Sequence, residues 1–588
     1  MSSDDITQNY LNGHSGVILA VFIIVSAFVI WPIYIPLPPA VQRPYLRLLL
    51  LCRVVSRHDY DRLSVRALRI SISLETAPVI GVIIALATTT IDGTTIRLGI
   101  EGDGNVKPYD VLVLFISLAY ISIALDGTGA IEAVAFWVSK RGGSSGMRLF
   151  TYLYAFMLGA GCVVGNDPLI LSCTPFLAYL THHTNIEPTA WVFSEFMAAN
   201  TASAVLVSSN PTNVLIAGSF NLNYLTGFTK WTVLPSIVPA LLNYPILLSM
   251  FWNKIPKTIV PLQDNPWSKV RDPAGAVFFS VLMVVTVAVL VGTSFVRGAL
   301  VEVWMVTAPA GILAFTFDFG SDWWHYKHRR TMKEQAVSDK AADMRAMAPI
   351  GSDASKTDGQ TNAALVQNKS QFDSPGQTSA TDSSTSSPAL RDKDIPASVK
   401  PETITLFSLL RSFRRRFPGT TLTVTRLPIP LLPFAICEFI LVRGLARRGW
   451  ITVFAQGFSK ACTTPLATVF FFGFVSAAFL CPLAGTNIGA TIILVEILRD
   501  SAFAGAETTS ADPKIMSAAV YATAMGSNLG AFSYTFAGSL AGLLWKGLLA
   551  DKDIHVSQLK FAMVNMLPLL VQTTVACAII YGQLYWFE

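Results

Sequence analysis

The sequence predicts an all-α polytopic membrane protein: two inverted-topology repeats, about ten spanning helices, two re-entrant hairpins and two broken helices. Three observations carry that prediction. Of the 588 residues, 52% are hydrophobic and 14% charged, where a soluble domain has roughly 25% charged residues; the mean hydropathy is +0.51. Apolar runs near the ~20 residues that a membrane crossing needs recur along the chain. Polar breaks interrupt those runs in two matched pairs: Gly165-Asn166-Asp167-Pro168 with Ser208-Ser209-Asn210-Pro211-Thr212-Asn213, and Gly485-Thr486-Asn487 with Gly526-Ser527-Asn528-Leu529-Gly530. Within each pair the asparagines stand about 40 residues apart. Irregular backbone at membrane depth survives only where it lines a cavity or is buried in protein. Corresponding breaks in two halves therefore point to the binding site of a secondary transporter.

The first apolar run, 16–36, is too long for a signal-peptide core and follows Asp4 and Asp5 rather than basic residues. It is expected to remain as a span with the N-terminus non-cytoplasmic. The rest of 1–75 is a loop carrying Arg43, Arg47, Arg53, Arg57, Arg62, Arg66 and Arg69, which the positive-inside rule makes cytoplasmic. Repeat 1 occupies 76–255 with its hairpin near 149–181, and connecting spans fill 256–330. Crossings counted onward leave the loops with Lys254, Lys257, Lys269 and Arg271, and with Lys327, Arg329 and Arg330, on the cytoplasmic side. Residues 331–425 are expected to form a disordered cytoplasmic linker. Its 331–400 part is rich in Ser, Thr, Asp, Ala and Gln and nearly free of aromatics, so it buries too little apolar surface to offset its ordering entropy and is expected to be disordered. Arg411, Arg414, Arg415 and Arg416 behind it suit anionic lipid. Repeat 2 fills 426–588 with its hairpin near 465–500. Residues 434–449 correspond to 118–142, and the count turns the first hairpin mouth inside and the second outside. Arg447 and Arg448 then fall outside, which fits helices lying in the interface.

Several functions are excluded. The net charge of +6 resides in loops beside apolar spans, where orientation explains it, so no nucleic-acid partner is expected. Seven cysteines without a C-x-x-C pair give neither a disulfide framework nor a zinc site and read as small packing residues. There is no G-x-x-x-x-G-K-[ST] phosphate cradle, no H-E-x-x-H and no nucleophile elbow, so the chain should not hydrolyse ATP or act as an enzyme. No cofactor is expected; Na+ or H+ would enter as the transported or coupling ion.

An interrupted helix leaves free N–H groups at one end and free C=O groups at the other, so an oxyanion or neutral hydroxide meets donors while a cation meets carbonyls. Asn166, Ser209, Asn210, Thr212, Asn213, Thr486, Asn487, Ser527 and Asn528 add amides and hydroxyls without fixed charge and form the candidate substrate and ion site. The plainer alternative is that they only cap broken helices. Asp167 at the hairpin tip, and after it Glu195 near the start of the broken helix, are the coupling candidates, because intramembrane carboxylates are costly. A carboxyl at Asp167 can exchange a proton for a cation during a cycle. Glu438 and Arg443, five residues apart, read as a structural pair.

The run Phe196-Met197-Ala198-Ala199-Asn200-Thr201-Ala202-Ser203 leading into Val207-Ser208-Ser209-Asn210-Pro211-Thr212-Asn213, Asn166-Asp167 with Thr174-Pro175, and Gly538-Ser539-Leu540-Ala541-Gly542-Leu543-Leu544-Trp545 resemble the arsenical-pump (arsenite/antimonite efflux) membrane family. That family belongs to the ion transporter superfamily and is similar to proteins with a citrate/dicarboxylate-transporter-like domain. The resemblance covers roughly 76–255 and 426–585. The chain departs from it at Pro168, where Gly is usual, at Gly485-Thr486-Asn487, which replaces an Asn-Asn-Met-Pro-like tip, and at Asn528, where an acid is common. The resemblance implies a secondary carrier moving arsenite or antimonite outward, and it permits a soluble ATPase partner. A sodium-coupled carboxylate or inorganic anion symporter is the rival, since the Ser-Asn-Pro-Thr-Asn and Gly-Thr-Asn runs also look like that branch's sites; the superfamily holds sodium/proton antiporters too. A membrane-embedded enzyme or receptor would leave the paired breaks unexplained. Membrane lipid and a small-molecule or ion substrate are the expected partners, a homodimer is compatible with the sequence, and the location is the plasma membrane or an internal organelle membrane.

Overall fold

The computed structural model describes residues 11–102, 107–260, 265–293, 303–346, 405–429 and 431–587. The membrane part opens with α1 (Gly13–Ile30), whose first turn is closed by a reciprocal box between Asn12 and Ser15. Strand β1 (Ile33–Pro36) pairs antiparallel with β2 (Arg69–Ile72), Ile33 opposite Ile72, and between them lie α2 (Pro39–Leu51) and α3 (Arg57–Val65). Next come α4 (Ala77–Ala87) and α5 (Gly93–Glu101), then α6 (Pro108–Gly127), α7 (Ala130–Gly142), a hairpin of α8 (Gly146–Val164) and α9 (Asn166–His183), and a broken helix, α10 (Thr189–Ala202) and α11 (Pro211–Ser219). Three helices follow, α12 (Lys230–Phe251), α13 (Pro273–Thr293) and α14 (Val303–Ala346), and after them α15 (Leu406–Arg416) and α16 (Pro418–Arg426). The earlier order then returns: α17 (Leu431–Arg447), α18 (Trp450–Ala461), and a hairpin whose first arm is α19 (Pro465–Phe474) and α20 (Cys481–Leu483), joined by a π-helical turn, and whose second arm is α21 (Asn487–Arg499). Short α22 (Ser501–Ala504) and α23 (Glu507–Ala511) lead to the broken helix α24 (Lys514–Leu529) and α25 (Leu540–Ala550), and α26 (Gln558–Phe587) closes the chain.

The two repeats agree in backbone conformation as well as in order. Gly129 before α7 and Gly449 before α18 have φ of +80° and +84°, and Gly165 and Gly485 at the hairpin tips have +91° and +82°. The same sequence interval separates the two glycines in each repeat. Ser145 caps α8 and Thr464 caps α19, each accepting from the amide three residues on.

Among the described residues eight helices are long and apolar enough to cross a membrane, two of them the first arms of the hairpins, against ten full spans expected beside the hairpins. The apolar stretch near 76–95, counted as one of the expected spans, yields only the eleven-residue α4, because the chain turns at Thr89, whose φ is +54°. The stretch near 299–319 begins outside the described residues, and α14, in which it continues, gathers many charged residues beyond Phe319. Most of the expected disordered linker lies outside the described residues, from 347 to 404; its two ends are helical instead, α14 running to Ala346 and α15 and α16 occupying 406–426, where Asp318 and Asp322 tie α14 to α16. Helix α15 buries no residue and exposes Leu406, Phe407, Leu409 and Leu410 beside Arg411, Arg414, Arg415 and Arg416, the make-up of an interfacial helix.

Polar contacts fasten these elements. Asp322 of α14 caps α16, accepting from the Gly419 and Thr420 amides at 3.1 and 2.7 Å, and Asp318 accepts from Tyr120 of α6 at 2.8 Å. Arg447 reaches Asp92 at 2.5 Å and Arg448 donates to the Thr90 and Thr89 carbonyls at 2.8 and 3.0 Å. Both arginines thus anchor the end of α17 to the turn before α5. The hydroxyl and amide of Thr95, with Thr94 and Arg447, hold the Asp92 carboxyl far below the usual carboxylate range. A lowered value means that this contact stabilises at neutral pH and is lost only in strong acid. Phe193 and Phe196 of α10 pack on Trp545 of α25 with ring centroids at 5.2 and 4.9 Å, and Phe561 of α26 completes the cluster. It joins the broken helices of the two repeats.

Gly165 has φ +91° and ψ 170°, a region open to glycine alone, and a Cβ there would stand 2.7 Å from the Ser209 carbonyl oxygen. Gly165→Ala is expected to destabilise by about 1–3 kcal/mol or more, lowering the melting temperature in detergent. Gly159→Ala in the same hairpin, where nothing lies within 4 Å of a Cβ, should leave it unchanged or slightly raised. Equal melting temperatures for the two variants would contradict the packed tip.

Candidate functional site

Each hairpin tip is tied to the broken helix of its own repeat. The amide of Asn166, the first residue of α9, donates to Asn200 Oδ1 at 3.1 Å, and the Ser209 hydroxyl donates to the Cys162 carbonyl at 2.9 Å. In repeat 2 the Asn487 amide donates to the Ser527 carbonyl at 3.3 Å. The helix starts at the site are capped from their own loops. Asn210 Oδ1 accepts from the Thr212 amide and hydroxyl at 3.1 and 3.0 Å and starts α11. Thr486 accepts from the Gly489 amide at 3.2 Å and starts α21. Ser539 accepts from the Gly542 amide at 3.0 Å and starts α25.

The repeats are joined through two asparagines. The Asn528 amide donates to Asn213 Oδ1 at 2.6 Å, and Asn528 Oδ1 accepts from the Ser203 hydroxyl at 3.2 Å. Asn213 in turn donates to the Ser203 and Leu206 carbonyls at 2.8 and 2.9 Å, both in the broken segment between α10 and α11. Asn200, Ser203, Asn213 and Asn528 are all wholly buried, and such polar groups are tolerated only when bonded in this way.

A cavity of about 360 Å³ reaches the first tip, with Asn166, Asp167, Ser209, Asn210, Arg426 and Leu540 in its wall. Beside it a space of about 10 Å³ shares Asn166, Asp167 and Asn210 and is bounded on the far side by Asn487 and Ser539. There both tips meet the N-terminal ends of both second half-helices. Such ends present free N–H groups and a partial positive charge, so the space offers donors without a full charge. Asp167 is half-buried and makes no hydrogen bond or ion pair among the described residues.

Of the residues singled out by sequence, Asn166, Asp167, Ser209 and Asn210 line the large cavity, and Asn487 lines the small one. Thr486 is a cap, and Thr212 and Asn213 stand behind the wall. Ser527 and Asn528 lie inside α24, because the helix runs on to Leu529 and the second break spans 530–539. Glu195 is wholly buried away from both cavities, where the Thr174 hydroxyl donates to its two oxygens at 2.9 and 3.1 Å and ties α9 to α10. Asp126 pairs with Arg426 at 2.8 Å and accepts from Ser172. The expected Glu438–Arg443 pair does not form: Arg443 reaches Glu496 of α21 at 3.4 Å. Residues five apart point about 140° away from each other around a helix, so the spacing opposed that pairing. Sequence reasoning missed Asn200, Ser203, Arg426 and Ser539. Ser539 carried a usable signal, a cap-type residue opening an apolar run. All seven cysteines are free, and Cys173 and Cys481 face the core.

This fold and site define a polytopic membrane protein in which paired hairpins meet paired broken helices. A family model described as citrate transporter matches residues 62–526, and the chain belongs to that family. It is also similar to arsenical pump membrane proteins of Escherichia coli, 28% identical over 173 residues (28% of this chain, 39% of that protein) in one case and 27% over 229 residues (36% and 52%) in the K12 strain. The P protein of Mus musculus is 24% identical over 184 residues, 30% of this chain and 22% of that protein. The match thus spans about half or less of the length of these relatives. The crystal structure of the Alcanivorax borkumensis YdaH transporter aligns with a TM-score of 0.44 at 10% identity, covering 98% of this chain and 99% of that one.

Removing either half of the Asn213–Asn528 contact leaves one buried polar group without its partner, an N–H of Asn528 or Oδ1 of Asn213, while their bonds to Ala524 and to the Ser203 and Leu206 carbonyls remain. Asn213→Ala and Asn528→Ala are each expected to cost about 1–3 kcal/mol. The double variant should cost clearly less than the sum, as contacting pairs do. Strictly additive losses in thermal melts would contradict the bridge between repeats.

Proposed function

We propose that this protein is a secondary active transporter of a small inorganic oxyanion or metalloid, with arsenite or antimonite efflux coupled to an ion gradient as the leading reading. The observation that carries it is the convergence of Asn166, Asn210, Asn487 and Ser539 around one small space. Neutral amides, hydroxyls and helix N-termini suit a compact hydroxylated solute, which is admitted when this space, sized for about one water as packed, opens into the larger cavity beside it. Asp167, unpaired at the same place, supplies the carboxyl that a proton or cation needs. The resemblance to arsenical pump membrane proteins supports the metalloid. Membership of the citrate transporter family, with Arg426 in the wall of the larger cavity, favours a second reading, a sodium-coupled carboxylate or inorganic anion symporter.

In this account the N-terminus is non-cytoplasmic, the first hairpin opens inside and the second outside. Movement of a hairpin-containing unit exposes the site to each side in turn. The gradient drives the cycle without nucleotide hydrolysis by this chain; co-purification tests for a soluble ATPase partner and for a homodimer.

Flux of arsenite, succinate, citrate and phosphate into proteoliposomes, with imposed proton or sodium gradients, separates the readings. Arsenite flux that responds to the proton gradient is expected. Sodium-dependent anion flux without arsenite flux would replace the first reading with the second. Asp167→Asn and Asn210→Ala should abolish transport while membrane insertion stays normal, and full activity in both would overturn the site.

A further inference from the structure

Glu438, on α17, is wholly buried, and neither carboxyl oxygen has a hydrogen-bond partner. Its Oε2 lies 3.7 Å from the point a Cβ on Gly489 would occupy, so it faces the first turn of α21, directly behind the second hairpin tip. Of that turn's amides, Gly489 is bonded to Thr486; a helix leaves its first N–H groups without internal partners, here those of Asn487 and Ile488. Elements α1, α4, α5, α6, α18 and α21 pack against α17. Their charged groups are engaged elsewhere or exposed. Arg443 holds Glu496, Arg447 holds Asp92, Arg97 holds Glu101 and Arg426 holds Asp126; Asp110 and Arg499 have other partners, Lys460 and His14 are exposed, and α4 carries no titratable residue. Cys437 is the adjacent titratable group on α17 itself.

The hairpins are alike in one further respect. In repeat 1 the unpaired carboxyl of Asp167 sits in the first turn of α9; repeat 2 has Thr486-Asn487-Ile488 at its tip and no acid there. Glu438 brings a carboxyl to that same turn from a neighbouring helix. We infer that Glu438 is the proton-carrying group of the second repeat, neutral while the second hairpin is packed as seen and ionised when that hairpin moves. This deepens, and rests on, the reading of the chain as an ion-coupled carrier. An ionised carboxylate buried without a partner is costly, whereas the protonated acid is not. The two carboxyl oxygens, even with the Ala484 carbonyl oxygen that lies 2.8 Å from the same Gly489 point, fall short of the roughly six oxygens that a hard cation takes, so the ion is a proton. When the hairpin shifts, the Glu438 O–H bond breaks, the proton passes to water at the hairpin mouth, and the carboxylate is held by the Asn487 and Ile488 amides. Return of a proton re-forms the O–H bond and restores the packed state.

The test uses the full chain in proteoliposomes. In infrared difference spectra over a pH titration, a protonated-carboxyl C=O stretch present in the wild type should be lost in Glu438→Gln and return, shifted, in Glu438→Asp. Arsenite exchange at zero gradient should survive in Glu438→Gln while stimulation by an imposed pH gradient is lost. An unchanged band, undiminished stimulation, or loss of exchange together with stimulation in a correctly inserted variant would overturn the assignment. If the wild type carries no arsenite, the substrate reading fails, and the infrared band still decides Glu438.

Discussion

Backbone that leaves the helix at membrane depth must find its hydrogen bonds inside the protein, since lipid supplies none and each unmet group costs several kcal/mol. Two broken helices and two hairpin tips create that demand four times here. It is met at one place, where Asn213 takes carbonyls of the break after α10, Asn528 bonds to Asn213, and Asn166 and Asn487 fasten the tips. The glycines at the tips follow from the same demand. With the Gly165 Cβ position 2.7 Å from the Ser209 carbonyl, a side chain would push the tip off the break and leave both unsatisfied.

Stability and the candidate site therefore draw on the same segments but divide the residues between them. Groups whose donors and acceptors are spent on one another, such as Asn213 and Asn528, hold the repeats together; groups with capacity left over, such as Asp167 and the ends of α11 and α25, face the cavities. The aromatic cluster of Phe193, Phe196, Trp545 and Phe561 supports that division from one side. The Asp126–Arg426 pair with Ser172 supports it from the other, joining α6, α9 and α16. Both contacts fasten a hairpin or half-helix to its surroundings, with the tips closed on the breaks.

The polytopic helical fold was legible because polar residues inside apolar runs have few structural excuses. Gly165-Asn166 and Asn210-Pro211 were readable for that reason, and Pro211 marks the restart of the helix. The second break was placed too early: Ser527 and Asn528 are polar but helical, while the true break at 530–539 contains Ala531, Phe532, Phe536 and Ala537 and looks like ordinary span. Among the described residues fewer helices reach spanning length than the ten expected, because hydropathy does not register a turn such as that at Thr89. Contacts distant in sequence, such as Arg426 with Asp126 and Arg443 with Glu496, and the isolation of Glu438, depend on how helices pack and leave no local trace.

The central claim is that both repeats contribute to one substrate site. The most direct measurement is protection of single cysteines, Asn166→Cys in the first hairpin and Ser539→Cys at the start of α25, against maleimide labelling in proteoliposomes as arsenite is added. Protection of both over the same concentration range is predicted. Protection of one position without the other, or of neither by any solute that the wild type transports, would contradict a shared site.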